Sequence, residues 1–243
     1  MQDPRVIIIT GATGGLGQAM ARRFGQAGCR IVIQYHQNKE AATNLAAGLE
    51  RLDSEAILFQ ADVRSLSDMQ SMARAALNRW NRVDVLIASA AVQRDGLLLR
   101  TTEKAWDEAI ETNLTGAWNS LKAVGEPFIR QREGRVIVIG SVAGHHGRAG
   151  QSNYAASKAG LIGLVRSVAM EWAPHQIQLN LVLPGLQPTG MTAGLSPQQR
   201  QALEREMLLG HSPPITDVAE FVYVLSRMTG VSGQIFNLDS RII

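Results

Sequence analysis

Short apolar runs alternate with longer amphipathic stretches along most of the chain. The runs are rich in β-branched residues and nearly free of polar ones, which is typical of strands in a sheet covered on both faces. They are Val6–Ile9, Ile31–Ile33, Ala56–Phe59, Val83–Ile87, Val136–Ile139, Leu179–Leu183 and Gln234–Leu238. Helical spacing marks Leu16–Gln26, Lys39–Leu52, Leu66–Trp80, Lys104–Arg130 and Asn153–Trp172. This alternation predicts an α/β fold with one doubly wound parallel sheet and helices on both faces.

Nothing in the pattern divides the chain into separate domains. It contains no linker-like tract, no low-complexity segment and no repeat of solenoid period. Since 243 residues are enough for one large core, we expect a single Rossmann-type domain over residues 1–243. The most irregular stretch covers residues 184–214 and is interrupted by prolines and glycines. Long segments of this kind are commonly functional, so we expect a substrate lid there.

Composition narrows the classes of function. Hydrophobic residues make up 45% and charged residues 19%, which is ordinary for a globular protein. The formal net charge is only +3 and no dense basic run occurs, which argues against a nucleic-acid ligand. The single cysteine, Cys29, suits a reducing compartment, and no apolar run has the length of a signal-peptide core or a membrane span. We therefore expect a soluble, cytoplasmic protein without a membrane partner.

A glycine-rich turn follows the first predicted strand and opens the first helix. Glycines let the backbone turn sharply and approach a ligand closely. The helix that follows directs free N–H groups and the positive end of its dipole at the same space, which favours a pyrophosphate. We predict that this turn binds a dinucleotide through Gly11, Thr13, Gly14, Gly15, Leu16 and Gly17.

Tyr154 and Lys158 stand near the start of a predicted helix, where a spacing of four places them on one face. An ammonium beside a phenol lowers the pKa of the phenol, which makes the tyrosine a better acid–base catalyst. Ser141 follows the strand Val136–Ile139, at the edge where doubly wound sheets bind ligands. A Tyr-x-x-x-Lys pair alone is more often a surface pair, so the other members of the set carry the prediction.

Together these motifs resemble the short-chain dehydrogenase/reductase family. The resemblance covers essentially the whole chain and includes the Thr-Gly-x-x-x-Gly-x-Gly turn, Asn113, and Ser141 thirteen residues before Tyr154. It implies that Tyr154 is the general acid in reduction and the base in oxidation, and that Ser141 orients the carbonyl oxygen. It also implies that Lys158 lowers the tyrosine pKa and binds the nicotinamide ribose, and that Asn113 holds a water that supplies protons to Lys158.

The same resemblance implies further contacts to the cofactor. Asp62 and Val63 match the adenine contact of the family, although position alone makes Asp62 an acid at a helix N-terminus. The other matching positions are Ala90 in the segment after the fourth strand, and Pro184, Gly185 and Thr189 in the wall of the nicotinamide site.

The end of the second predicted strand favours NADPH over NADH. Folds that bind NAD carry an acid there for the ribose hydroxyls, whereas this chain has Tyr35. His36, Asn38 and Lys39 follow, and they are suitable contacts for a 2′-phosphate that an acid would repel. Against NADPH, Gly14 stands where many NADPH-dependent relatives carry a basic residue.

Four stretches resemble the 3-oxoacyl-(acyl carrier protein) reductase branch of the family: Arg94–Arg100, Trp106-Asp107, Asn113–Gly116 and Gly150–Tyr154. The resemblance implies reduction of a 3-oxoacyl thioester on acyl carrier protein or coenzyme A, in fatty acid or polyketide synthesis, by a homotetramer. Acyl carrier protein is acidic, so basic residues are expected around the entrance, with Arg132 and His175 as candidates.

Two segments depart from the family pattern. Ala88-Ser89-Ala90-Ala91 replaces Asn-Asn-Ala-Gly, and Asp239-Ser240-Arg241 replaces Asp-Gly-Gly, which affects the expected cofactor and subunit contacts. Two other functions stay open: an oxidoreductase of a free small ketone or alcohol, and an NADP(H)-sensing protein without turnover. A serine hydrolase is disfavoured because the Gly-x-Ser-x-Gly elbow is absent. His145 and His146 lack metal-ligand spacing, so no metal site is predicted.

Overall fold

Seven parallel strands form one sheet in the computed structural model, which describes residues 3–242. In chain order the strands are β1 (Val6–Thr10), β2 (Arg30–Tyr35), β3 (Ala56–Gln60), β4 (Val85–Ala88), β5 (Gly134–Ile139), β6 (Ile177–Leu183) and β7 (Ile235–Asn237). Their order in the sheet is β3-β2-β1-β4-β5-β6-β7. In β1, Ile8 lies opposite Val32 of β2 on one side and Leu86 of β4 on the other. The predicted doubly wound parallel sheet is confirmed, and Met1, Gln2 and Ile243 lie outside the described residues.

Helices cover both faces of the sheet. They are α1 (Gly15–Gln26), α2 (Lys39–Glu50), α3 (Leu66–Trp80), α4 (Glu103–Ile110), α5 (Gly116–Gln131), α6 (Ala143–His146), α7 (Ser152–Trp172), α8 (Pro197–Arg205) and α9 (Ile215–Leu225). Among residues 3–242, no helix combines the length and apolarity that crossing a membrane requires.

The alternation of side chains along the strands builds two cores. On one face, Val6 and Ile8 contribute to a cluster that includes Met72 of α3 and Val165 of α7. On the other face, Ile7 and Ile9 join Phe24 of α1 and Val222 of α9. Because the inner strands are covered on both faces, most of their residues are apolar, and buried exceptions such as Gln34 and Asn180 are hydrogen-bonded.

Three helical regions differ from the sequence prediction. The predicted helix Lys104–Arg130 consists of α4 and α5 joined by a π turn at Glu111–Thr115. Helix α9 was not predicted, because its sequence is rich in β-branched and aromatic residues that also favour strands. Residues 184–214 are less irregular than expected, since α8 forms within them, capped by Ser196, whose side chain accepts from the Gln199 N–H.

All seven strands run in one direction, so their carboxyl ends meet at one edge of the sheet. Thr10, Tyr35, Ala88 and Ile139 end their strands there, and Pro184 follows β6. The helices that start at this edge differ in their caps. Asn38 caps α2 by accepting from the Ala41 N–H at 2.9 Å, whereas α1 begins after Gly14 without a side-chain cap. The first turn of α1 therefore keeps N–H groups available for a ligand.

Candidate active site

A cleft of about 960 Å³ follows the carboxyl edge of the sheet. Nearly all of the predicted site residues line it: Gly11, Thr13, Gly14, Gly15, Leu16, Gly17, Tyr35, His36, Asp62, Val63, Ala90, Ser141, Tyr154, Lys158, Pro184, Gly185 and Thr189. Asn113 is buried and is not part of the cleft wall. The fold thus brings the glycine-rich turn, the Ser–Tyr–Lys group and the start of the 184–214 segment into one site.

Two glycines of the turn are required by close packing. Gly11 has a φ of +64°, and a Cβ there would lie 2.7 Å from the Cα of Ala90. A Cβ on Gly17 would lie only 2.3 Å from the carbonyl oxygen of Gly11. The turn is therefore folded tightly on itself and against the segment after β4, which exposes its backbone to the cleft without intervening side chains.

The turn fits the phosphates of a dinucleotide. Gly14, Gly15 and Leu16 line the cleft at the uncapped first turn of α1, where free N–H groups and the helix dipole favour an anion. Across the cleft lies Thr189, whose methyl group would be 2.9 Å from a Cβ on Gly15. The 184–214 segment thus closes on the same turn from the other side.

Gln34 is a site residue that the sequence analysis did not identify. Its side-chain oxygen accepts from the Gly11 N–H at 2.7 Å, and its amide donates to the Ala61 carbonyl at 2.7 Å. The residue is almost fully buried, so these bonds join the glycine turn, β2 and the end of β3. The signal in the sequence was a single amide, Gln34, directly after the apolar run Ile31–Ile33.

The segment Ala88–Ala91 is held by a side chain of the first strand. The hydroxyl of Thr10 accepts from the Ser89 N–H at 3.1 Å and from the Ala90 N–H at 3.3 Å. This bond pair places Ala90 against Gly11. Residues 88–91 replace the family's Asn-Asn-Ala-Gly, and their bonds to Thr10 use backbone N–H groups, which do not depend on the side chains at these positions.

Charged side chains gather at the end of the cleft beneath β2 and β3. Asp62 accepts from Arg64 at 2.6 Å, and its carboxylate is 3.7 Å from the imidazole of His36. Hydrogen bonds from Arg64 hold the pKa of Asp62 below its ordinary value. Asp62 is not a helix cap, because Ser65 caps α3. His36 and Asn38 line the cleft, but Lys39 does not, since it begins α2.

Lys158 is buried directly behind Tyr154. Its Nζ donates to the Ile139 carbonyl at 2.7 Å and lies 5.7 Å from the centroid of the Tyr154 ring. Burial lowers the pKa of Lys158 to about 8. The predicted pairing of these two residues on one face of α7 is what the structure has, and Ser141 lies in the same cleft wall.

The pKa of Tyr154 shifts upward in this structure. Burial raises the pKa of the phenol, a hydrogen bond with Ser141 partly lowers it, and the carboxylate of Asp95 raises it further. The sequence analysis expected Lys158 to lower the pKa of Tyr154. The net shift is instead upward, because burial dominates at the phenol and the ammonium of Lys158 bonds to the Ile139 carbonyl. Tyr154 is protonated at neutral pH, as a proton donor must be.

Asn113 occupies the centre of the π turn between α4 and α5. Its amide donates to the Val92 carbonyl at 2.9 Å and to the Ser157 hydroxyl at 3.0 Å. Its oxygen accepts from the Val92 N–H at 2.7 Å. These bonds join the loop after β4 to α7. None of them reaches Lys158, so the water relay remains a prediction.

Two further amides fix the start of α7, and the sequence analysis gave them no role. Gln151 donates to the carboxylate of Asp95 at 3.1 Å, and the side chain of Asn153 donates to the Arg94 carbonyl at 2.9 Å. Both residues are buried and shortly precede Tyr154 in sequence. They set the position from which the phenol enters the cleft.

Arginines in the cleft wall differ in their partners. Arg64 pairs with Asp62, Arg94 with Glu108 and Arg241 with Asp239. Arg148 is exposed on the loop between Ser141 and Tyr154 and forms no ion pair within residues 3–242.

The candidates for the carrier-protein contact, Arg132 and His175, are not at the cleft. Arg132 donates to the carbonyl of Pro174, beside His175, at the amino ends of β5 and β6. The cleft lies at the carboxyl ends of the same strands, so the expectation that these two residues ring the entrance is wrong within this chain.

Comparisons with known proteins agree with this geometry. A family model described as short chain dehydrogenase matches residues 5–200. The chain is 34% identical to a 3-oxoacyl-(acyl-carrier-protein) reductase of Synechocystis sp. over 98% of this chain and 97% of that protein. It is 31% identical to the Staphylococcus aureus protein of the same name, over 98% of both chains.

A solved structure shares the fold at nearly full length. It is a protein from Sinorhizobium meliloti 1021 assigned as a short-chain alcohol dehydrogenase. The two structures superpose with a TM-score of 0.92 at 26% identity, over 97% of this chain and 95% of the other. The chain therefore belongs to the short-chain dehydrogenase family and is an NAD(P)-dependent oxidoreductase.

Proposed function

We propose that this protein reduces a 3-oxoacyl thioester to the 3-hydroxyacyl thioester with NADPH. The observation that carries the proposal is the joining of Ser141, Tyr154 and Lys158 with the glycine-rich turn in one cleft. Relatives named 3-oxoacyl-(acyl-carrier-protein) reductase, at 31% and 34% identity over nearly the whole chain, support the thioester as substrate.

The chain's own residues account for the proton and the orientation of the substrate. Tyr154 donates its proton to the substrate carbonyl oxygen, and its raised pKa keeps that proton available. Ser141, which lines the same cleft wall, fixes the carbonyl oxygen beside the phenol. Lys158, with a pKa of about 8, supplies a positive charge behind the developing phenolate. When bound, the nicotinamide supplies the hydride.

NADPH is favoured by the residues at the end of β2. Tyr35 takes the place of an acid, and the nearest carboxylate in that part of the cleft, Asp62, is already paired with Arg64. His36 and Asn38 line the same end and offer polar contacts to a 2′-phosphate. A phosphate placed there meets no unpaired negative charge among these residues.

The part of the cleft around Ser141, Arg148 and Tyr154, called the substrate end, favours a substrate on an anionic carrier, either acyl carrier protein or coenzyme A. Arg148 is the cleft arginine that has no carboxylate partner within residues 3–242, so its charge is available to a carrier.

We further propose that residues 184–214 act as a lid on a single-domain enzyme. A homotetramer is also part of the proposal, and it would cover the exposed apolar side chains of Leu98, Leu99 and Trp118.

Turnover with purified protein tests the proposal. Acetoacetyl thioesters of acyl carrier protein and of coenzyme A are mixed with NADPH or NADH, and cofactor oxidation is followed at 340 nm. We expect turnover that prefers NADPH, falls by roughly 10²-fold or more in Tyr154→Phe and persists in Tyr223→Phe. Tyr223 packs on Phe24 outside the cleft, so it is the matched control for loss of a phenol.

A free ketone is the second candidate substrate. The solved Sinorhizobium meliloti relative is assigned as an alcohol dehydrogenase, which favours a free carbonyl compound. Ethyl acetoacetate is therefore run beside the thioesters. Greater catalytic efficiency on the free ester would replace the thioester proposal, and cofactor binding without turnover on either compound would favour a sensing role.

A further inference from the structure

The segment that ends the described chain folds back beneath the cleft. Asp239 has a fully buried carboxylate, and Arg241 binds it through its Nε, 3.1 and 3.0 Å from the two oxygens. Asn237 supports the turn by donating to the Arg241 carbonyl at 2.8 Å and accepting from the Asp239 N–H at 3.1 Å. A buried carboxylate needs such a partner, so the guanidinium is held in one place.

The same guanidinium reaches the stretch of the 184–214 segment that follows α8. Its Nη1 donates to Glu206, directly after α8, at 3.2 Å. Next to this contact, the Leu209 N–H donates to the Ser240 hydroxyl at 3.2 Å, and the Leu208 N–H donates to the Ser240 carbonyl at 3.4 Å. The residues that replace the family's two glycines therefore make the contacts to this stretch of the segment.

The near end of the 184–214 segment touches the same group. Gly185 has a φ of +75°, and a Cβ there would lie 3.3 Å from the carboxylate of Asp239. Leu238 continues the contact by donating to the Leu183 carbonyl at 3.0 Å. Asp239 thus lies under the start of the segment while Arg241 contacts the stretch directly after α8.

Arg241 lines the cleft, but its charge is already matched by Asp239 and Glu206. It is therefore poorly suited to bind an anionic substrate itself. A planar guanidinium presents its donors in a rigid fork that can face two carboxylates at once, whereas an ammonium is a compact charge on a flexible stem without that fork.

We infer that Arg241 is a positioning residue: by bridging Asp239 and Glu206, it fixes the end of α8 over the substrate end of the cleft. Residues 237–241 thereby hold the stretch after α8 against the cleft. Its effect on substrate binding rests on the proposed function, whereas its effect on the position of α8 does not.

Hydrogen exchange separates the tether from the chemistry. Glu206→Gln removes the charge that meets Arg241 but leaves the Arg241–Asp239 pair intact. The control is Glu204→Gln, which makes the same change on α8 at a residue with no ion pair among residues 3–242. We expect amides of residues 203–209 to exchange about two- to fivefold faster in Glu206→Gln than in wild type or the control, as for loss of an exposed ion pair. Equal exchange in the two variants would overturn the inference.

Arg241→Lys distinguishes a bridge from a mere positive charge. The lysine keeps Asp239 paired but cannot also hold Glu206 in the same geometry. We expect faster exchange at residues 203–209, an acetoacetyl thioester KM raised about two- to fivefold, a kcat within about twofold of wild type and an unchanged Kd for NADPH. Wild-type exchange in this variant would refute the bridging role. If exchange at residues 203–209 is faster as expected but the enzyme does not turn over the thioester, the result counts against the proposed function alone.

Discussion

The two ends of the cleft are built in different ways. At the cofactor end, the wall around the glycine turn is made of the turn's backbone and of buried polar groups on the strands, such as Thr10 and Gln34. At the substrate end, loops are held by side-chain contacts, such as Gln151 with Asp95 and Arg241 with Glu206. The first kind of wall cannot change without disturbing the sheet. The second can change one residue at a time, so specificity can diverge there while the fold and the chemistry persist.

The largest expected effect comes from a methyl group at the cofactor end. Gly17→Ala places a Cβ 2.3 Å from the Gly11 carbonyl, and the clash should lower the free energy of unfolding by about 3 kcal/mol. Gly14→Ala, with its nearest atom at 3.4 Å, and Gly190→Ala at the substrate end, with none within 4 Å, should each cost under about 1 kcal/mol. Denaturant unfolding of the three variants checks this ranking, and equal losses would contradict it.

The next effect concerns Lys158, which lies between the two ends. Its pKa is lowered from 10.5 to about 8 in the folded chain, so between these pH values the unfolded chain holds a proton that the native one has lost. Stability should therefore rise with pH across this window, by up to about 3 kcal/mol relative to Lys158→Met. Unfolding of both proteins at pH 7, 9 and 10.5 measures the difference. A constant difference would show that the lysine titrates normally.

A substitution at the cofactor end is expected to change the preference between NADPH and NADH. Tyr35→Asp places a carboxylate at the end of β2, where it would repel a 2′-phosphate and accept from ribose hydroxyls. We expect the ratio of NADPH to NADH affinity to fall by about tenfold, or ~1.4 kcal/mol. Tyr35→Asn controls for loss of the ring, and tryptophan-to-nicotinamide energy transfer gives the affinities. The same fall in the Asn variant would assign the preference to shape rather than charge.

The smallest effect is expected at the exposed loop of the substrate end. Arg148→Gln should raise the KM for acetoacetyl acyl carrier protein a few-fold, or ~0.5–1 kcal/mol, at low salt and less at high salt. Arg166 is a matched control, because it is an exposed arginine of α7 outside the cleft. If Arg166→Gln and Arg148→Gln behave alike, the charge near Ser141 has no particular role in binding the carrier.

The sequence predicted the parts of this molecule that depend on local patterns. Apolar runs identified every strand, and the glycine turn and the Tyr154–Lys158 spacing located the site. Helix α9 was missed because Val218 and Val222 favour a strand locally, and only their burial on the sheet decides for a helix. The roles of Gln34 and Arg241 depend on partners far away in sequence, and no local pattern indicates such contacts.

The π turn at Glu111–Thr115 has a consequence for how this site can be altered. A π turn contains one residue more than regular α-helical pairing allows, and it is this extra residue that carries Asn113 to Val92 and Ser157. Deleting one residue within the turn would let α4 and α5 merge into one regular helix and would rotate the asparagine by about 100° away from both partners. The position of Asn113 therefore depends on the number of residues between α4 and α5, so a one-residue deletion there would displace it although every side chain of the site is kept.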